Sequence, residues 1–139
     1  MAPYAKPLPV ADRDTQPFWE FCKQHELRAQ RCTACGAFRW PPRSFCPKCC
    51  SAECEWVRLS GRGSVYSFSV VHHAVVQAFA DDVPYVVALV TLDGASDQAP
   101  LLSNIVDCPW DVVRVGMPVQ VVFDDVTPEV TLLKFEPLR

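Results

Sequence analysis

The chain has 139 residues, half of them hydrophobic, and a formal net charge of −3. That balance excludes a disordered chain, and no run approaches the ~20 apolar residues of a membrane-spanning helix. A chain of this size holds one domain or two very small ones and buries about 68–70% of the surface its unfolded form exposes. Its charge is unevenly divided: residues 1–63 carry 10 Lys/Arg against 6 Asp/Glu, and residues 64–139 carry 3 against 10.

The opening stretch, Met1-Ala2-Pro3-Tyr4-Ala5-Lys6-Pro7, contains no apolar h-region, so no secretory signal is read there and a cytoplasmic location is expected. Residues 1–12 are proline-rich (Pro3, Pro7, Pro9) and expected to be extended. A helix is predicted over 15–25, with Asp14 or Thr15 as its N-cap and Pro17 in its first turn. Phe18, Phe21 and Cys22 recur at i, i+3 and i+4 and form its apolar face.

Eight cysteines in a chain this short mean either disulfides or a metal site. Disulfides belong to secreted proteins, and the spacing favours metal. Cys32-Thr33-Ala34-Cys35 and Cys46-Pro47-Lys48-Cys49 are two CxxC pairs with ten residues between them. A CxxC turn brings two thiolates onto one ion, and two such turns complete the tetrahedron that zinc prefers. Gly36 permits the tight backbone after the first pair. Such a site is closed to water and substrate, so its work is folding. A redox pair or disulfides are the competing reading, and Cys50 or Cys54 is an alternative to Cys49 as fourth ligand. Otherwise Cys22, Cys50, Cys54 and Cys108 read as small buried or half-buried side chains. The same segment carries Phe38, Trp40 and Phe45 beside Pro41 and Pro42. A ribbon cannot bury three large aromatics internally, so they cover the helix, the following domain or another protein.

From Gly61 the pattern becomes β. Gly61-Arg62-Gly63 marks a turn or bulge before a strand at 64–71, where Tyr66, Phe68 and Val70 alternate with Val65, Ser67 and Ser69. Further strands are predicted at 85–92, 101–106, 119–123 and 130–135. A helical turn is expected at 110–115, an exposed loop at 95–100, and a break at Gly116-Met117-Pro118. Five short strands with an irregular segment between the third and fourth suit a five-stranded OB barrel, with a small sandwich as the alternative. His72-His73 with Asp81-Asp82 suggests a second metal or acid–base site, but adjacent strand residues point to opposite faces, which favours ordinary strand-end residues. No nucleophile elbow, phosphate loop or HExxH motif is present.

The ordered set of motifs resembles a known family. Phe18-Trp19, the run from Leu27 through Cys32-Thr33-Ala34-Cys35-Gly36, Pro41-Pro42-Arg43 and Cys46-Pro47-Lys48-Cys49 come first. Trp56, Ser60-Gly61-Arg62-Gly63-Ser64-Val65-Tyr66, Pro84-Tyr85-Val86-Val87, Val115-Gly116-Met117-Pro118 and Phe135-Glu136-Pro137 follow. Over nearly its whole length the chain is similar to the zinc-ribbon OB-fold family of thiolase accessory subunits. The resemblance implies a mainly β fold: an N-terminal segment and helix (1–26), a rubredoxin-like zinc ribbon (27–59) and a five-stranded OB barrel (60–139). It implies one structural zinc on Cys32, Cys35, Cys46 and Cys49, and no catalytic residue in this chain. It also implies a hetero-oligomer, two plus two, with a thiolase-fold enzyme that cleaves or transfers acyl groups of acyl-CoA, as in steroid side-chain or aromatic degradation. A hot-dog-fold enoyl-CoA hydratase as partner is the alternative. Family members often carry glycine where this chain has Cys50.

Coenzyme A bears several phosphate charges, so Arg39 and Arg43, with Phe38, Trp40 and Phe45, are candidates to line a CoA route or partner interface. The plainer reading of these arginines, with Arg28 and Arg31, is a solvated face with local ion pairs. Two other functions compete. A nucleic-acid module is opposed by the acidic second half, and a stand-alone enzyme or acyl-CoA carrier lacks a visible set of acid, base and nucleophile.

Overall fold

The structure is a computed structural model that describes residues 4–95 and 100–139. Apart from its two ends, the loop expected at 95–100 lies outside them. The helix α1 spans Gln16–Lys23, two residues shorter at its C-terminal end than its periodicity predicts. Thr15 occupies the N-cap position, but its side chain does not cap the helix. Asp12 and Thr15 instead close a turn on one another, with Thr15 N–H and Oγ1 both donating to Asp12 Oδ1, while Asp14 accepts the Ser44 hydroxyl at 2.6 Å. At the other end His25 adopts φ +58°. Its N–H donates to Cys22 O and that of Glu26 to Phe21 O, the paired bonds of a Schellman stop. Phe18 and Cys22 are buried as the helical period requires.

Three short strands follow, β1 (Arg28–Cys32), β2 (Phe38–Arg39) and β3 (Cys54–Arg58), in an antiparallel sheet of order β2-β1-β3. None of the three shows the apolar alternation that marks a strand in sequence. The rest of the chain forms a closed five-stranded barrel of β4 (Arg62–Val71), β5 (Tyr85–Leu92), β6 (Leu101–Ile105), β7 (Pro118–Asp125) and β8 (Thr131–Pro137), ordered β4-β5-β6-β8-β7. All pairs are antiparallel except β6–β8, which meet in parallel at Ile105 and Phe135. A 3-10 turn at Trp110–Val112 fills the irregular place between the third and fourth barrel strands.

Alternation is perfect in β5, where Val86, Ala88, Val90 and Leu92 face the core. In β4 it breaks. The expected grouping of Tyr66 with Phe68 and Val70 is corrected, because the pairing steps from Val65↔Val90 to Ser67↔Leu89 and leaves Tyr66 as an extra residue. This bulge shifts the strand's phase by one. Val65 faces the core before it, Phe68 and Val70 pack against the core after it, and Tyr66 is 57% exposed. The bend lets β4 pair with β5 along its length while its first residues, 62–64, close the barrel onto β7. Gly63 sits at that closure, where a Cβ would lie 2.3 Å from the Thr91 carbonyl.

The core centres on Val65, Val86, Val90, Val119 and Phe135. α1 packs on β8 and β1 and so joins barrel to ribbon. Among the described residues, no helix is long and apolar enough to cross a membrane.

Candidate metal centre

The two CxxC turns are built alike. In the first, Cys32 N–H donates to Ala37 O (2.8 Å) and Gly36 N–H to Cys32 O (2.9 Å). In the second, Cys46 N–H donates to Ser51 O (2.8 Å) and Cys50 N–H to Cys46 O (3.0 Å). Both turns need a left-handed residue four positions after their first cysteine: Gly36 takes φ +78° and Cys50 takes φ +63°. The sulfurs of Cys32, Cys35, Cys46 and Cys49 all lie within 4.8 Å of one another. The pairs Cys32–Cys49 and Cys35–Cys46 approach to 3.5 and 3.6 Å, with every cysteine a free thiol. Tetrahedral zinc with bonds near 2.3 Å sets its sulfurs about 3.8 Å apart, so the donor set fits that ion in number, softness and spacing. Cys32 and Cys46 are buried, while Cys35 and Cys49 face solvent.

Local electrostatics favour thiolates at the first position of each knuckle. The Cys32 thiol is held below its usual pKa by the backbone N–H of Cys35 and then by that of Ala34. Cys46 is brought down to about 6 by the N–H groups of Cys49 and Lys48. Cys49 behaves oppositely. The Ser51 N–H pulls its pKa down, yet the Cys32 thiol, burial and the thiols of Cys35 and Cys46 push it up to about 12. Four sulfurs this close cannot all ionise without a cation among them, and a dication resolves that conflict. Cys50 is not among the converging sulfurs. Cys54 accepts a 3.7 Å contact from Gln30 Nε2. Cys22 is buried, which raises its thiol to about 12 and leaves it inert.

The inside of the ribbon is polar. Gln30 and Arg39 are register partners across β1 and β2, and both side chains are buried. Arg39 is 2% exposed and donates to Arg43 O (3.1 Å) and Glu53 O (3.3 Å). Gln30 Oε1 accepts the Arg43 N–H at 2.9 Å. Together they clamp both ends of the second knuckle onto the sheet. Arg39, expected at a CoA route or interface, is therefore placed inside the ribbon, where its outer N–H groups are spent on carbonyls. Its sequence neighbours gave no sign of this. Arg43 does reach the surface. Trp40 meets the Phe18 ring edge-on at 4.8 Å, and Phe38 packs half-buried against the core. Only Phe45 of the three aromatics turns outward, 61% exposed. His72 and His73 are exposed past the end of β4, with His72 edge-on to Trp110 at 5.0 Å.

Comparison with known proteins agrees with this architecture. Residues 19–55 match the family model of the ChsH2 rubredoxin-like zinc ribbon domain, and residues 56–124 that of the ChsH2 C-terminal OB-fold domain. A probable enoyl-CoA hydratase alpha subunit of Thermomonospora curvata is 40% identical over 132 residues, 95% of this chain. The chain spans only 40% of that relative's length. A DUF35 domain-containing scaffold protein of Methanocaldococcus jannaschii is 40% identical over 107 residues, 76% of this chain and 73% of its own. The benzoylsuccinyl-CoA thiolase subunit BbsA of Thauera aromatica shares 49% identity over 43 residues, 31% of this chain and 30% of its own. Among solved structures, a chain of the Ltp2–ChsH2(DUF35) aldolase superposes with a TM-score of 0.82 at 40% identity, covering 94% of this chain and 98% of that one. Matched ribbon, matched barrel and a 40% identical relative of like size, matched over 73% of its length, together place the chain in the DUF35/ChsH2 family of zinc-ribbon OB-fold proteins.

Proposed function

We propose that this chain is a non-catalytic accessory subunit of a thiolase-fold enzyme that makes or breaks carbon–carbon bonds in acyl-CoA substrates. In this reading Cys32, Cys35, Cys46 and Cys49 hold one structural zinc. Four thiolates fill the ion's shell, so it offers no position to substrate or water and serves to keep the ribbon folded. Reacting groups then come from the partner, and this chain contributes docking surface, positioning and exclusion of water. Two small and two large chains form the complex.

The observation that carries the reading is the near one-to-one correspondence with a chain of an aldolase complex, 98% of which this chain covers. The partial match to a thiolase subunit supports the same class of partner. A hydratase partner is the second reading, favoured by the hydratase alpha subunit match. It is the weaker one, because more than half of that relative lies outside the matched region.

Co-expression with thiolase-fold and hot-dog-fold candidates tests the choice. Co-elution with a thiolase-fold protein is expected, together with acyl-CoA cleavage by the complex and by neither chain alone. Turnover by the isolated chain overturns the proposal, and assembly with a hydratase alone transfers it to the second reading.

A further inference from the structure

The arginines on the helix–ribbon side are mostly accounted for. Arg28 and Arg58 pair with Glu26, at 3.2 and 3.0 Å. Arg31 lies 3.9 Å from Glu55, and Arg39 is buried on carbonyls. Two remain without a carboxylate partner among the described residues, Arg13 and Arg43. Both line one hollow of about 410 Å³ between the start of α1 and the second knuckle. Arg43 leans on Pro41 O and Trp40 O through long 3.4 Å contacts from Nε and Nη2, leaving Nη1 uncommitted.

The rest of the wall has a consistent chemistry. Phe45 and Trp56 supply aromatic surface, and the Phe45 ring is the one ribbon aromatic that the fold does not use. Trp56 is braced by the Phe21 ring, tilted against it at 5.7 Å. Asp14 is the one carboxylate in the wall. Its Oδ1 accepts the Ser44 hydroxyl, and its second oxygen has no partner among the described residues. Gln30 is committed to Arg43 N–H and Cys54 Sγ, so it holds the floor still. Two guanidinium groups without a carboxylate partner among the described residues match phosphate oxygens. An exposed ring beside a braced indole matches a flat base, and a carboxylate oxygen matches an exocyclic amine. The hollow also lies in the half of the chain that carries the positive balance, whereas the barrel half would repel an anion.

We propose that this hollow binds the phosphorylated aminopurine end of a nucleotide cofactor, with Arg13 and Arg43 on the phosphates and Phe45 against the base. The choice of nucleotide rests on the acyl-CoA reading above, since coenzyme A ends in an adenosine carrying phosphate at both the 3′ and 5′ positions. A free adenine nucleotide presents the same chemistry.

Titration of the full metal-loaded chain, followed by backbone and indole NMR shifts, tests the site with three probes: adenosine 3′,5′-bisphosphate, ADP and a single-stranded oligonucleotide. Saturable shifts are expected at Arg13, Arg43 to Phe45 and the Trp56 indole. Replacing two charge-assisted contacts with Arg13→Gln and Arg43→Gln together weakens binding at least about tenfold. Phe45→Ala, which leaves every hydrogen bond of the ribbon in place, also weakens it. Tighter binding of the bisphosphate than of ADP identifies coenzyme A as the source, and equal binding identifies a free nucleotide; both support the pocket. No saturable shift at millimolar probe overturns the proposal. So does wild-type affinity in the double variant, or an oligonucleotide that binds more tightly than the bisphosphate. Co-elution with the acyl-CoA-cleaving partner is measured on the same preparations. A chain that assembles but takes up no nucleotide overturns the pocket alone, and one that takes up nucleotide but finds no such partner overturns the subunit reading alone.

Discussion

The barrel and the ribbon solve the same problem by opposite means. In the barrel the interior centres on Val65, Val86, Val90, Val119 and Phe135, and pairing of β4 with β7 closes the sheet on itself. In the ribbon the largest fully buried side chain is an arginine, its register partner is a glutamine, and the sulfurs of Cys32 and Cys46 are buried beyond the few apolar positions, Leu27, Ala29 and Leu59, that join the barrel core. Water removed from apolar surface stabilises the first. The second has much less such surface, and a buried guanidinium whose outer nitrogens reach carbonyls while its Nε finds no partner among the described residues is at best a balanced exchange. The ribbon's stability must then come from the ion its thiols fit and from its attachment through α1. The difference predicts that the two halves fail separately.

Metal removal breaks the comparison most severely. Structural zinc in small ribbons is worth about 10–16 kcal/mol of apparent binding energy, far more than a segment with so little core can replace. Chelation under reducing conditions, or Cys46→Ala, is expected to leave the ribbon amides of β1–β3 exchanging freely with deuterium while β4–β8 stay protected. Loss of protection throughout the barrel as well would show that the halves form one cooperative unit. Unchanged ribbon protection would show that the sulfurs hold nothing.

Phe135→Ala strikes the other half. Phe135 is fully buried where β8 meets β6 and β7. Such truncations cost about 3–5 kcal/mol, depending on how far the site collapses. Chemical denaturation should record that loss as a lower midpoint, with one zinc per chain still bound before the transition. Metal lost in step with the barrel would mean that the ribbon depends on its neighbour's packing.

How much of this was legible in the residues follows the same divide. The barrel strands, the place of the helical turn at 110 and the four sulfurs were all readable, because alternation and CxxC spacing are local patterns with few other meanings. Where apolar alternation failed, the reading failed. Tyr66 looks like the start of an inward series, and only the pairing partners on β5 reveal the bulge. β1 and β2 carry Arg28, Gln30, Arg31 and Arg39, and β3 sets Trp56 and Val57 side by side, so no apolar alternation announced them. Arg39 reads as a surface residue because it stands in sequence among Arg28, Arg31 and Arg43, and arginine is mostly exposed. Its burial depends on the carbonyls of residues 43 and 53, brought beside it only once both knuckles are folded. The free pair formed by Arg13 and Arg43 is likewise a product of tertiary structure, thirty positions apart in sequence and facing one hollow.

The smallest effect sharpens the comparison within the ribbon itself. Gly36 and Cys50 occupy equivalent left-handed positions after the two knuckles, but only one is a residue that adopts that region freely. An L side chain there carries roughly 1–2 kcal/mol of strain, partly offset by glycine's greater entropy when unfolded. Cys50→Gly should therefore stabilise the metal-loaded chain by about 1 kcal/mol or less, and Gly36→Ala, with open space around its Cβ, should destabilise it by a similar amount. Zinc content read on the same variants decides the fourth ligand. Cys50→Gly retains the full metal while Cys49→Ser weakens its hold, because Cys49 is the sulfur 3.5 Å from Cys32 and Cys50 stands outside the cluster. Metal lost from Cys50→Gly and kept in Cys49→Ser would mean that the second knuckle turns one residue further than its hydrogen bonds indicate.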